Sequence, residues 1–231
     1  MYKALVTGGT QGIGLVIASN LKDLGYDVIT CARGKDADIQ CDVTDREQVR
    51  KMREATGPID ILINNAGGAI SAPFLKFKEE DWDQQFNLNV KSVYYCIQEY
   101  LPAMLERKFG RIINIASTAG KVGYQYISAY SSAKHAVIGL TRALARETAT
   151  QGVTVNAVCP SFVDTPMLQK SVEPIAKKTG KSSEEILETF RLHNPQKRFV
   201  KPEEVASAVR FLIETPAVNG QAISLCGGET V

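Results

Sequence analysis

The sequence predicts an α/β fold in which one doubly wound parallel sheet of about seven strands is covered by helices on both faces. Three observations carry this expectation. Short apolar runs alternate with helical patterns along the chain. The runs are continuously apolar rather than alternating, as strands covered on both faces are. The first run passes through a glycine-rich turn directly into a helix. In order, strands are expected at Ala4–Thr7, Asp27–Ala32, Asp38–Cys41, Ile59–Ile63, Arg111–Ala116, Val153–Cys159 and Ala222–Leu225. Helices are expected at Gly12–Leu24, Asp45–Ala55, Glu79–Arg107, Ile127–Gln151 and Pro202–Phe211, with others between Pro166 and His193. The link from Cys31 to Cys41 is too short for a crossover helix with its loops, so that helix is expected to be lost or reduced to a turn.

At 231 residues the chain is long enough for one sizeable core, and no repeat, low-complexity tract or linker divides it; a single domain over residues 1–231 is expected. Twenty-seven basic and 25 acidic residues give a net charge of +2 without a dense basic cluster, which argues against nucleic acid as a partner. No apolar stretch reaches the ~20 residues that span a bilayer. Met1 leads straight into the first strand, so a soluble, cytoplasmic protein without a membrane partner is expected. Cys31, Cys41, Cys96, Cys159 and Cys226 are scattered singly, and the two histidines join none of them in a cluster, so no metal is expected and the thiols read as small buried groups.

The chemistry is concentrated at two places. In Tyr130-Ser131-Ser132-Ala133-Lys134 the tyrosine and lysine stand about one helical turn apart and share a face. A cation beside a tyrosine favours the phenolate, so the pair is expected to be a proton donor with a lowered pKa. Ser117, thirteen residues earlier, ends the run Arg111–Ala116. At the other place, Lys3–Thr7 leads through Gly8, Gly9, Thr10, Gln11, Gly12, Ile13 and Gly14 into a helix. Glycines there let a pyrophosphate approach the backbone, and the helix start offers unpaired N–H groups to it. This Rossmann-like unit is expected to be a dinucleotide site, and its glycine spacing differs from G-x-G-x-x-G.

Together these motifs resemble the short-chain dehydrogenase/reductase family. Its Thr-Gly-x-x-x-Gly-x-Gly matches Thr7 to Gly14, its Asn-Asn-Ala-Gly matches Asn64 to Gly67, and its Ser, Tyr and Lys fall on Ser117, Tyr130 and Lys134, with Asn89 as fourth member. The resemblance implies Tyr130 as general acid to a carbonyl oxygen, Ser117 as hydrogen-bond donor to that oxygen, Lys134 on the nicotinamide ribose, and Asn89 holding a water that links Lys134 to solvent. It also implies Asp42 and Val43 at the adenine, and Asn65, Ala66, Gly67, Val163 and Thr165 along the cofactor. Ser161 stands where the family usually has the glycine of Pro-Gly.

The end of the second strand reads Cys31-Ala32-Arg33-Gly34-Lys35, with no acid at its last positions. An arginine there welcomes a 2′-phosphate, whereas a carboxylate would hold the ribose hydroxyls, so NADP(H) is favoured over NAD(H). Asp36, Asp38 and the uncharged Gln11 argue the other way. The segment from Pro166 to Arg198, where the family places its variable lid, carries apolar residues at loosely helical spacing among Lys170, Lys177, Lys178, Lys181, Lys197 and Arg198. Those cations suit the phosphates of a coenzyme A or carrier-protein thioester, and the segment Asn156–Met167 resembles relatives that act on acyl or polyketide thioesters. The leading expectation is therefore a 3-oxoacyl-thioester ketoreductase. An NAD-dependent dehydrogenase of a small secondary alcohol, sugar or cyclic diol, and a non-catalytic dinucleotide sensor or scaffold, are the alternatives. Val90, Val93, Tyr94, Ile97, Ile138 and Leu140 put apolar surface on more than one helix face, and Ala222–Val231 offers a second contact, so a homo-oligomer, tetramer or dimer, is expected.

Overall fold

In the computed structural model, which describes residues 1–230 and Lys178 by its backbone alone, seven strands lie parallel in one sheet. They are β1 (Lys3–Thr7), β2 (Asp27–Ala32), β3 (Ile39–Gln40), β4 (Ile61–Asn64), β5 (Gly110–Ile115), β6 (Val153–Pro160) and β7 (Ala222–Leu225). Their spatial order is β3-β2-β1-β4-β5-β6-β7. The helices are α1 (Gly12–Asp23), α2 (Arg46–Thr56), α3 (Glu79–Phe86), α4 (Ser92–Glu106), α5 (Ser128–Thr148), α6 (Pro166–Thr179), α7 (Ser183–His193) and α8 (Pro202–Glu214). Successive strand residues feed opposite cores. Leu5, Leu62, Ile112 and Val155 pack with Met52, Met104 and Val137 on one face. Val6, Ile63, Ile113 and Val158 pack with Ile17 and Val209 on the other. Each such side chain removed from water contributes about 1.5–3 kcal/mol, which explains why the strands read as unbroken apolar runs.

The chain reverses its winding direction between β1 and β4, and the crevice at that switch, outside the carboxyl ends of the strands, is where such sheets bind ligands. As the short Cys31–Cys41 link requires, no helix lies between β2 and β3. The third strand is shorter than expected. Asp38 does not extend it; its carboxylate instead accepts from the Thr30 amide at 2.8 Å and the Thr30 hydroxyl at 2.7 Å.

The helix expected over Glu79–Arg107 is interrupted. Between α3 and α4 the backbone widens into a π-helical turn at Asn87–Lys91, where Asn89 Nδ2 reaches the Gln85 carbonyl at 3.0 Å and the Gly68 carbonyl at 2.9 Å. The surplus apolar surface expected on α4 and α5 is smaller than the sequence suggests. Val93, Ile97 and Ile138 are buried within the chain, Val90 and Leu140 are half-buried against the same core, and Tyr94 is exposed. Of the tail expected at Ala222–Val231, Val231 lies outside the described residues. Among the described residues no helix is long and apolar enough to cross a membrane, and no cluster of metal-ligating side chains occurs.

Candidate active site

The glycine loop is shaped by what a side chain would hit. Gly8 and Gly12 adopt φ of 63° and 53°, which glycine takes without strain. A Cβ on Gly14 would collide with the Gly8 carbonyl oxygen and with Asn65 Nδ2, so the loop closes only because Gly14 is bare. Asn65 staples the loop to β4: its Nδ2 donates to the Thr7 and Gly8 carbonyls at 2.9 and 3.1 Å, and its own amide and that of Ala66 donate to the Thr7 hydroxyl. Thr165 comes within 3.6 Å of the Cβ position of Gly12, bringing the start of α6 over the loop. Thr10 and Ile13 are half-buried and Gln11 is exposed.

Helix α1 begins without a side-chain cap at Gln11 and without an acidic residue in its first turn. By contrast, Asp45, Thr165 and Ser182 cap α2, α6 and α7 with their side chains. The first amides of α1 are thus left for a ligand, and an anion suits them.

Two strands away stands the proton chemistry. Lys134 is 5% exposed and its Nζ donates to the Ile115 carbonyl at 2.8 Å, while lying 5.6 Å from the centre of the Tyr130 ring. The helix that carries both is seated by a buried ladder: Asn64 Nδ2 donates to Asn114 Oδ1, and Asn114 Nδ2 to the Thr141 hydroxyl, each at 2.9 Å. Ser117 begins a 3-10 turn, Thr118–Gly120, which its hydroxyl caps by accepting the Ala119 amide at 3.1 Å. The same hydroxyl faces that of Tyr130. Gly67 lies between the remaining pair, for a Cβ there would meet Asn89 Oδ1 at 2.9 Å and Lys134 Nζ at 3.5 Å. Asn89 is fully buried, and its Oδ1 accepts the Gly68 amide at 3.2 Å.

The electrostatics correct one expectation. Tyr130 is not lowered by its lysine; burial pushes its hydroxyl up to about 12, against a partial pull downward from Ser117. The cation itself is weakened, because burial lowers Lys134 to about 8, and its ammonium is aimed at the Ile115 carbonyl rather than at the phenol oxygen.

The structure does not gather every expected residue. Arg33 lies just beyond β2, exposed, and among the described residues no carboxylate pairs with it. Asp38 is turned inward onto Thr30, which holds its carboxyl below the usual range and keeps it from serving a ribose. Asp42 Oδ1 accepts the Thr44 amide and hydroxyl, and Val43 is buried. Val163 is buried and pairs in a single parallel bridge with Val200. In the expected lid, Leu168, Val172 and Ile186 point inward while Lys170, Lys177 and Lys181 are exposed; the Lys178 side chain lies outside the described residues. Arg198 is taken up by Glu204 through contacts of 2.7 and 2.8 Å.

Sequence reasoning missed Tyr124 and Glu229. Tyr124 donates to Glu229 Oε1 at 2.6 Å from a position seven residues beyond Ser117. The departure from Pro-Gly at Ser161 was the available signal, since the Ser161 hydroxyl donates to the same carboxylate.

A profile of the short chain dehydrogenase family matches residues 2–176. Among curated proteins, "Granaticin polyketide synthase putative ketoacyl reductase 1" of Streptomyces violaceoruber is 41% identical over an alignment of 249 positions, gaps included, that covers 97% of this chain and 92% of that protein. The 3-oxoacyl-(acyl-carrier-protein) reductase FabG of Staphylococcus aureus is 36% identical over an alignment of 248 positions, gaps included, that covers 97% of this chain and 96% of that protein. Among solved structures, a variant of actinorhodin polyketide ketoreductase with NADPH superposes with a TM-score of 0.94 at 38% identity, covering 99% of this chain and 97% of that one.

Proposed function

Because the chain belongs to the short-chain dehydrogenase family of oxidoreductases, we propose that it reduces a ketone with NADPH, and that the ketone is the 3-oxo group of an acyl thioester on coenzyme A or a carrier protein. The observation that carries the reading is the pairing of Tyr130 with the buried Lys134 ammonium one helical turn on, whose Nζ lies 5.6 Å from the centre of the ring. A sensor or scaffold has no use for a proton donor so placed.

The residues present fit the cofactor. The uncapped start of α1 and the bare positions at Gly8, Gly12 and Gly14 would hold a pyrophosphate. Arg33 would meet a 2′-phosphate with charge-assisted hydrogen bonds, and the inward turn of Asp38 removes the carboxylate that would oppose it. Asp42 and Val43 would flank the adenine, and Asn65, Ala66, Gly67, Val163 and Thr165 the nicotinamide side. When bound, NADPH supplies the hydride that goes to the carbonyl carbon.

Tyr130 gives its proton to the carbonyl oxygen as negative charge grows there, and with a pKa near 12 its hydroxyl is fully protonated at neutral pH. Ser117 donates a hydrogen bond to the same oxygen. Lys134 holds the ribose and places positive charge beside the phenolate left behind. Asn89 keeps a water between Lys134 and solvent from which Tyr130 is reprotonated. The thioester is supported by the relatives named as ketoacyl and 3-oxoacyl reductases, and by the exposed Lys170 and Lys177 on α6 and Lys181 just after it. In this reading residues 1–231 act as one unit with a lid at 166–198, assembled as a homo-oligomer through α4 and α5.

Paired titration with NADPH and NADH at one salt concentration, followed by turnover of acetoacetyl-CoA, tests the proposal. NADPH is expected to bind at least about tenfold tighter, with Arg33→Ala removing that preference. An NADH preference, or no thioester turnover, overturns the corresponding half. Changing Lys170, Lys177 and Lys181 together to Ala is expected to raise the KM for the thioester and leave that for a small uncharged ketone unchanged.

A further inference from the structure

The side chain of Glu229, third from the end of the chain, is only 8% exposed. A carboxylate withdrawn this far from water is costly unless its oxygens are hydrogen-bonded. Both are. Oε1 accepts the Tyr124 hydroxyl at 2.6 Å, and Oε2 accepts the Ser161 hydroxyl. The Tyr124 oxygen also lies 2.9 Å from Thr118 Oγ1. Since the single phenolic proton goes to the carboxylate, the Thr118 hydroxyl donates to Tyr124, and the three groups form a directed chain. Burial and this bond to Glu229 both raise the Tyr124 pKa, which keeps that proton in place.

The ends of this chain lie beside the catalytic groups. Thr118 follows Ser117 directly and opens the turn that Ser117 caps. Ser161 lies two residues before Val163 and four before Thr165, which caps α6. On a third side His193, the last residue of α7, brings Nδ1 within 3.9 Å of Glu229 Oε1, with its ring edge-on to Tyr124 and tilted against Phe162. The tail itself is fixed in place. Gly227 has φ of 61°, and a Cβ there would collide with Asn194 Oδ1. One carboxylate therefore joins the end of α7, the turn after β5 and the loop after β6, all at the mouth of the cleft. Ser161, where this chain departs from the glycine of its family's pattern, supplies half of the joint.

We propose that Glu229 is a positioning residue for the reaction: through Tyr124 and Thr118 it fixes the turn that aims Ser117 at Tyr130, and through Ser161 it fixes the segment leading to Thr165. The inference rests on the ketone-reductase reading for its kinetic consequence, but not for its structural one. The full chain, loaded with NADPH, is compared as wild type, Glu229→Gln, Tyr124→Phe and the double variant, by steady-state turnover of acetoacetyl-CoA and by amide hydrogen exchange over residues 117–124 and 161–165.

Each single variant is expected to lower kcat about tenfold with KM within about twofold, Tyr124→Phe to leave NADPH affinity within about twofold, and the double variant to be no worse than the poorer single one. Exchange is expected to rise in those two segments and not in the sheet. Unchanged kcat and unchanged local exchange in Glu229→Gln overturn the proposal. So does a loss of kcat matched by weaker NADPH binding and faster exchange throughout, which is a general structural defect. If the wild type fails to turn over acetoacetyl-CoA, the substrate reading fails and the exchange data alone decide the role of Glu229. Should Glu229→Gln not fold, Tyr124→Phe and Ser161→Gly carry the same comparison.

Discussion

The Lys134 ammonium donates to the Ile115 carbonyl at 2.8 Å, so the buried cation of the site is tied to the end of the central strand β5 rather than to the Tyr130 oxygen. Burial brings its pKa from 10.5 to about 8. Between those values the unfolded chain holds the extra proton, so this residue makes stability rise with pH across that window, and its penalty is complete below pH 8. The ceiling of that penalty is ~3 kcal/mol. Lys134→Met should therefore raise Tm at pH 7 while abolishing turnover. Thermal unfolding of both proteins at pH 7 and pH 10.5 checks this: a gain of equal size at both would show that Lys134 carries no such penalty.

Tyr130 and Lys134 titrate far enough apart for a rate profile to separate them. The tyrosine stays protonated well past neutrality, so loss of the reductive rate at rising pH should follow Lys134 near pH 8. Tyr130→Phe should lower kcat by about 10²–10⁴ at every pH with little effect on NADPH binding. Absence of an inflection near pH 8, with the rate lost only well above it, would assign the loss to the tyrosine instead.

Gly14 faces the Gly8 carbonyl too closely to tolerate a methyl group. Gly14→Ala should cost about 1–3 kcal/mol of stability and weaken NADPH binding more than tenfold. Urea unfolding with and without NADPH measures both effects, and cofactor affinity within twofold of wild type would refute the crowding argument.

Asn89 uses both ends of its amide on Gly68 and Gln85 in a fully buried site. Asn89→Ala strands those groups, at about 1–3 kcal/mol, and loosens the loop that carries Gly67 beside Lys134. Equal loss of stability but full activity in Asn89→Ala would remove Asn89 from the proton path and leave it a purely structural residue.

What could be read from the sequence follows from how local each signal is. The glycine loop and the Tyr130–Lys134 pair depend on spacings of a few residues, and the spacing alone brings them to one loop and one helix face. The sheet was equally legible, because strands buried on both faces show as unbroken apolar runs. The interruption at Asn87–Lys91 was not, since it depends on Gly68, 21 residues from Asn89 in the chain. Nor was the ending of β3, where a side chain takes the place of a backbone partner. The network at Glu229 joins residues 105 and 68 positions apart, and no periodicity reports such pairs. The direction of the Tyr130 shift was missed for a related reason: adjacency to a lysine is visible in the sequence, but the depth of burial that outweighs it is a property of the folded cleft.

The Asp38–Thr30 contact also bears on how these molecules behave in a crowded solution. Beside a two-residue β3, the first part of β2 is an open margin of the sheet, and the Thr30 amide there would be free to pair with a strand from another molecule. Asp38 occupies that amide with its carboxylate and sets a negative charge along the margin. The contact therefore takes one backbone donor of that margin away from edge-to-edge pairing with another molecule.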